Sequence, residues 1–189
     1  MELIREYALS AVVVAACVVV VSGCGRRPHP PALQENNGLY RNSREGLSLH
    51  PPPEWRQFGR AISPDADGSH ESELVKYKRL TGKPAFFQVF VMELAPSADL
   101  AEFLAGHSPG KEWHRQGNTE TLTVGDLPAL RDSFSGTWDR QGVVREIVAV
   151  HRGKRLYLFK GTFPVDDKEA QTLVRQAVAS AVWEGDAKN

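Results

Sequence analysis

The sequence predicts an α+β domain, an antiparallel β-sheet covered by helices, and two observations support that prediction. Between residues 118 and 163, four strand-like segments follow one another with only short turns between them. Connections of that length join antiparallel neighbours. A helix with one apolar stripe then follows the last strand, and it needs an apolar surface to pack on. A sheet with helices packed on it satisfies both requirements.

The first half of the domain is predicted to contain a hairpin and a short helix. Residues 73–80 and 85–94 have the composition of strands, and the Thr-Gly-Lys-Pro turn at 81–84 joins them. A helix is expected to begin at Asp99, which forms a capping-box pattern with Glu102. A Ser-Pro-Gly sequence ends that helix soon afterwards.

The second half is predicted to contain four strands and the final helix. The strands lie at residues 118–124, 129–138, 143–151 and 155–163. Asp166 and Glu169 form a second capping-box pattern at the start of the helix. The apolar stripe of this helix comprises Ala170, Leu173, Val174, Ala177, Val178, Ala181 and Val182. We expect Leu173 and Val174 to face the sheet, and Arg175 with Gln176 to face solvent.

Cys24 closes a pattern that is typical of bacterial lipoprotein signal peptides. The apolar run at residues 8–21 suits a signal peptide better than a membrane-spanning helix, and the small residues Ser22 and Gly23 follow it. The sequence therefore predicts a signal peptide at residues 1–23 and a lipid on Cys24. Two alternatives stay open, because a second loose pattern ends at Cys17 and the apolar run could also remain as an uncleaved anchor.

Residues 24–38 are predicted to form a tether, because they are rich in proline and polar residues and have no periodic apolar face. A single domain at residues 39–185 follows. The predicted location is the cell membrane or the outer membrane, with the domain lipid-anchored on the extracytoplasmic side. The membrane, reached through the lipid, is thus the first predicted partner.

The composition excludes several classes of function. The chain has 23 basic and 23 acidic residues, so it offers no electrostatic basis for binding nucleic acid. Cys17 and Cys24 are the two cysteines. Removal of the first with the signal peptide and acylation of the second would leave no thiol for a disulfide, a metal site or a nucleophile. We expect a monomer without a cofactor.

Several motifs resemble those of PsbP-like domains, a fold also found in the mycobacterial LpqN lipoproteins. Residues 46–51, with Trp55 shortly afterwards, look like the early strand and the Pro-x-x-Trp corner of that family. Residues 123–129, 152–157 and 180–183 are similar to its central turn, its penultimate hairpin and the end of its last helix. The resemblance implies an α/β/α sandwich and a family of mostly non-catalytic binding or assembly factors.

The acidic loop at residues 65–73 is the candidate metal site. Asp65, Asp67 and Gly68 have the spacing found in the middle of a calcium loop. In that frame, however, Ser63 takes the first ligand position and Leu74 takes the position of the bidentate glutamate. We interpret the segment as a solvated acidic loop and keep calcium as the alternative.

Other chemistry-bearing residues do not form recognisable patterns. The six histidines have no short metal-ligand spacing, and Ser133 lacks the glycine-flanked turn of a hydrolase nucleophile. We therefore predict no catalytic residues. Trp55 and Trp183 are expected to pack in the core, and Trp113 is the tryptophan that we expect at the surface.

Three hypotheses for the function remain. The first is a lipid-anchored, non-catalytic accessory domain that engages an envelope or membrane protein. The second is a lipoprotein that binds a small ligand or calcium. The third is an enzyme, which the motifs do not support. Exposed apolar groups without a deep pocket would favour the first hypothesis, and an enclosed pocket with convergent polar groups the second.

Overall fold

The computed structural model describes residues 38–58 and 71–184. Cys24, the predicted signal peptide and most of the predicted tether lie outside the described residues, as do Asp65, Asp67 and Gly68 of the acidic loop. In chain order the elements are β1 (Tyr40–Asn42), β2 (Leu47–Leu49), β3 (Trp55–Phe58), β4 (Ser72–Arg79), β5 (Phe86–Glu93), α1 (Leu100–Gly106), β6 (His114–Val124), β7 (Leu127–Trp138), β8 (Gln141–Arg152), β9 (Arg155–Pro164), α2 (Lys168–Ala179) and β10 (Val182–Trp183).

Seven of these strands form one antiparallel sheet in the order β3-β4-β5-β9-β8-β7-β6. The consecutive neighbours β6 to β9 follow from the short turns, as the sequence predicted. The pairing of β5 with β9 is a long-range contact that no turn dictates. α2 packs on one side of the sheet and α1 on the other. The predicted α+β class and the predicted hairpin of β4 and β5 are confirmed.

A small three-stranded sheet closes the α2 side of the molecule, in the order β1-β2-β10. Its last strand brings the Trp183 ring to 5.1 Å from the Tyr157 ring and 6.3 Å from the Phe159 ring. Trp55 is 5% exposed in the same core. The expected packing roles of Trp55 and Trp183 are confirmed.

A buried hydrogen bond links this small sheet to the large one. The Tyr157 hydroxyl donates to Oε2 of Glu45 at 3.1 Å, and Glu45 is 8% exposed. Burial, followed by the nearby Glu45 carboxylate, raises the pKa of Tyr157 to about 12. The phenol therefore stays protonated and remains a donor to Glu45.

α2 differs from its predicted form at both ends. Its N-cap is Asp167, whose side chain accepts from the backbone N–H of Ala170, so the capping box expected at Asp166 is wrong. The helix ends at Ala179, and Val182 lies in β10 with 49% of its surface exposed. The helix stops before Val182 because Val182 and Trp183 pair with β2 as a strand.

The face of α2 is otherwise as predicted, with one exception. Val174 is 2% exposed and packs in the core, and Leu173 is half-buried. The exception is Arg175, which is exposed as predicted but whose guanidinium also reaches Glu146 on β8. Glu146 is 2% exposed, so Arg175 supplies the counter-charge of a buried carboxylate.

α1 begins at Asp99, as predicted, because the Asp99 carboxylate accepts from the backbone N–H groups of Ala101 and Glu102. Leu104 of this helix is 1% exposed and joins a second apolar cluster with residues of β7, β8 and β9. The helix has only 7 residues, so it shields part of this side of the sheet. On this side of the sheet, the strands near β3 are more exposed to solvent.

Candidate binding surfaces

The acidic loop at residues 65–73, the candidate metal site, is only partly within the described residues. Glu71 and Glu73 of the acidic loop are described, and both have partners within the protein. The Lys160 ammonium lies 2.7 Å from Oε2 of Glu71, and Gln88 donates to Oε2 of Glu73 at 2.7 Å. In the described part of the chain, no three His, Cys, Asp or Glu side chains are grouped so that they could hold a metal ion. Calcium binding by Asp65 and Asp67 stays the alternative to a solvated acidic loop.

Glu71 also anchors the end of α1. Its Oε1 lies 3.1 Å from Nε2 of His107, the C-cap residue of that helix. Burial alone would raise the pKa of Glu71, but hydrogen bonds and charges from His107 and Lys160 outweigh it and hold the pKa below the ordinary value of 4.5. The carboxylate thus connects α1 with β9.

Acid is expected to weaken this connection. Because the pKa of Glu71 is lowered on folding, its contribution to stability is fully present above the unfolded-state value and is lost as pH falls through the folded-state pKa. Glu71→Gln should lower the free energy of unfolding by about 1–2 kcal/mol at neutral pH. Urea unfolding at a series of pH values below neutral should show a flatter pH dependence for Glu71→Gln than for the wild type. Parallel curves would contradict the assignment.

The tryptophans at the surface differ in part from the prediction. Trp113 is half-buried, and a Cβ added to Gly136 would lie only 2.9 Å from its ring, so the indole packs on the sheet. The guanidinium of Arg145 lies 4.4 Å from the Trp113 ring centroid. Trp138 is instead 43% exposed and contacts Phe86, with ring centroids 5.0 Å apart. Trp113 is partly exposed, as expected, but the expectation that it is the one surface tryptophan is wrong, because Trp138 is more exposed.

Three exposed apolar side chains lie at one end of the large sheet. The antiparallel order places the end of β4, the end of β7 and the end of β9 at this same end. The side chains are Leu80, Trp138 and Val165, which are 55%, 43% and 53% exposed. We call these three residues the sheet end. A tight turn beside it holds Asp139 and Arg140 at φ values of 48° and 64°, as a two-residue hairpin requires.

A cleft of about 640 Å³ lies beside the N-terminus of α2. Four of its charged groups form two ion pairs, because Arg79 pairs with Asp167 and Lys83 pairs with Asp166. Glu54, Lys168 and Glu169 also line the cleft. The hydrogen bond from Arg79 is the main cause that lowers the pKa of Asp167. The hydrogen bond from Lys83 has the same effect on the pKa of Asp166. A ligand that used these paired charges would have to displace an existing ion pair.

The second surface is a cluster of cations and rings on β3, β4 and β5. The register places Arg56 opposite Lys78 and Phe58 opposite Lys76, and it pairs Lys78 with Phe86. We call these five residues the basic face. The Lys76 ammonium lies 5.4 Å from the centroid of the Phe86 ring, and the Lys78 ammonium lies 5.8 Å from that of Phe58. Phe58 is 45% exposed.

The sequence pattern of β4 already indicates part of the basic face. Lys76 and Lys78 alternate with buried Val75 and Tyr77, so the period of two already puts both lysines on one side of the predicted strand. Arg56 joins them only through the register of β3 with β4. Within residues 38–58 and 71–184, none of the helices has the length and apolarity needed to cross a bilayer.

Comparison with known proteins adds information on the fold. No protein-family model matches the chain, and no curated protein matches its sequence. Cyanobacterial PsbP (CyanoP) from Synechocystis is 12% identical, with a TM-score of 0.57 over 86% of this chain and 98% of that one. The fold is PsbP-like. Sequence motifs that resembled PsbP-like domains therefore pointed to the correct architecture.

Two further structures share this PsbP-like fold at similar distance. LpqN of Mycobacterium tuberculosis, which is involved in cell envelope biogenesis, is 11% identical, with a TM-score of 0.52 over 72% of this chain and 82% of that one. A protein from Bacteroides thetaiotaomicron is 10% identical, with a TM-score of 0.51 over 75% of this chain. This chain spans 46% of the Bacteroides protein. At these identities the likeness extends to the fold alone.

Proposed function

We propose that the chain is a lipid-anchored extracytoplasmic accessory domain, which engages an envelope or membrane protein and catalyses no reaction. Cys24 would carry the lipid, residues 24–38 would form the tether, and residues 39–185 would form the binding domain. The site of action would be the cell membrane or the outer membrane.

The sheet end is the observation that carries this proposal. Leu80, Trp138 and Val165 expose large apolar surfaces at one end of a rigid sheet, and tryptophan is a frequent anchor in protein interfaces. In the nearby cleft, Arg79 and Lys83 are held by Asp167 and Asp166. An exposed apolar group without an enclosed polar pocket fits a protein partner better than a small ligand. The shared fold with LpqN, which is involved in cell envelope biogenesis, supports the same assignment.

The lipid anchor predicts a clear loss in one variant. Cys24→Ser removes the thiol that would receive the lipid, so we expect it to abolish labelling with a palmitate analogue and to release the protein from the membrane fraction. Cys17→Ser is the matched control and should label like the wild type. Loss of labelling in Cys17→Ser instead would assign the lipid to the upstream cysteine, and equal labelling of Cys24→Ser would refute the anchor. Stable retention requires more than one acyl chain, as in a processed lipoprotein.

Site-specific crosslinking tests the partner. A photoreactive benzoylphenylalanine that replaces Trp138 should form one discrete adduct with an envelope protein in intact cells. The same group at Val182 is the control, because Val182 is similarly exposed, at 49%, but lies on the small sheet. Mass spectrometry of the adduct would identify the partner. The absence of an adduct at position 138, or identical adducts at both positions, would count against docking at the sheet end.

A further inference from the structure

The basic face brings like charges together on neighbouring strands. Arg56 lies directly opposite Lys78 across the β3–β4 ladder, an arrangement that destabilises an isolated sheet. Among the described residues, no acidic group forms an ion pair with Arg56, Lys76 or Lys78. Elsewhere in the domain, carboxylates such as Glu146 and Asp132 lie against arginines. Lysines near a sheet edge discourage aggregation, but that role does not require Arg56 opposite Lys78.

The excess of positive charge on the basic face is local, because the chain as a whole has no net charge. The chain has as many basic as acidic residues, so three cations without an ion pair among the described residues create an electrostatic asymmetry rather than a generally cationic protein. Phe58, exposed among them, adds an apolar ring of the kind that interfacial segments bury at the boundary between headgroups and acyl chains. Cations with an exposed ring match a surface that is anionic at its headgroups and apolar below them.

The length of chain before the domain allows such contact. Residues 25–37 separate the proposed lipid on Cys24 from Gly38, the first described residue. Fully extended, these 13 residues span at most about 45 Å, so the domain cannot leave the vicinity of the bilayer. At such a high effective concentration, contacts of modest strength suffice to orient the domain.

We propose that the basic face binds the anionic phospholipid headgroups of the membrane that holds the anchor. Arg56, Lys76 and Lys78 contact the phosphates, and Phe58 enters the interfacial layer. Phe86 of the basic face contacts Trp138 of the sheet end, with ring centroids 5.0 Å apart, so the two surfaces adjoin. The inference rests on the proposed lipid anchor but does not depend on which protein binds.

Lysine footprinting on the full lipidated chain tests this inference. The protein is reconstituted in vesicles of phosphatidylcholine alone, or of phosphatidylcholine with phosphatidylglycerol, and is treated briefly with an acetylating reagent. Lys76 and Lys78 should react about fivefold more slowly in the vesicles that contain phosphatidylglycerol, and high salt should abolish the difference. Lys154 and Lys168, which are exposed on the β8–β9 turn and at the start of α2, are internal controls with unchanged rates.

A variant separates headgroup binding from simple proximity. Arg56→Gln should reduce the protection of Lys76 and Lys78 at least twofold, because one of the three cations is gone. Lys154→Gln removes the same charge elsewhere and should leave the protection unchanged. A thermal melt of each variant confirms that it is folded.

The outcomes distinguish this inference from the proposed function. Equal rates in both kinds of vesicle, or equal protection of Lys154 and Lys168, would overturn the headgroup contact and leave the anchor and the protein partner intact. Protection of Lys76 and Lys78 in cells but not in phosphatidylglycerol vesicles would assign the basic face to a protein and would overturn the inference too. Failure of the wild type to label with the palmitate analogue would refute the anchor itself.

Discussion

Arg175→Ala is expected to lower the free energy of unfolding by about 2 kcal/mol, far more than a surface substitution on a helix usually does. The cause is Glu146, which is 2% exposed on β8 and would be left without its counter-charge. Nε of Arg175 donates to Oε2 of Glu146 at 3.0 Å. This loss of unfolding free energy is smaller than the loss expected when a fully buried ion pair is broken. The Arg175 side chain is 42% exposed, and Gln171 still donates to Glu146 at 2.7 Å.

Urea unfolding of three variants tests this ion pair. Gln176→Ala, on the exposed side of the same helix, should change the free energy of unfolding by less than about 0.5 kcal/mol. Adding Glu146→Gln to Arg175→Ala removes the isolated charge, so the double variant should be more stable than Arg175→Ala alone. Similar values for Arg175→Ala and Gln176→Ala would show that the guanidinium is not needed.

Gly161→Ala is expected to cost about 2–3 kcal/mol, because α2 packs directly on this position of β9. An added Cβ would lie 2.5 Å from Cγ1 of Val174, closer than two carbon atoms can approach. Val174 is 2% exposed, so its side chain has little room to move away. The helix would have to shift from the sheet, and the core beneath it would loosen.

A matched glycine and a compensating change make this prediction specific. Gly142 is also on a central strand, but an added Cβ would meet Val165 at an ordinary 3.6 Å, so Gly142→Ala should be nearly neutral. Val174→Ala removes the clashing methyl group, and the double variant should therefore be more stable than the sum of the two single changes indicates. Equal thermal midpoints for Gly161→Ala and Gly142→Ala would contradict the close approach.

Local sequence signals predicted the elements that depend on local interactions. The short turns made β6 to β9 sequential neighbours, and Asp99 capped α1 as expected. The second cap was misplaced by one residue, because Asp166 and Asp167 both suit an N-cap and the choice is made by distant partners. Arg79 holds Asp167 at the helix, whereas Lys83 draws Asp166 away.

The exposed tryptophan and the basic face could not be predicted in the same way. Trp113 follows a helix break and is surrounded by charged residues, yet it packs over Gly136 on β7. Trp138 ends a strand-like segment and remains exposed, because the sheet ends there. Arg56 reaches Lys78 only because β3 adds to the edge of β4.

The sequence by itself determined the class of the domain, the order of its hairpins and the apolar face of α2. These depend on turn length and on hydrophobic period, which act between residues close in the chain. Only the tertiary structure decided which charges are neutralised and which rings are exposed. Glu146 meets Arg175 across 29 residues and β5 meets β9 across a helix and three strands, so their pairing is set by the packing of the whole sheet.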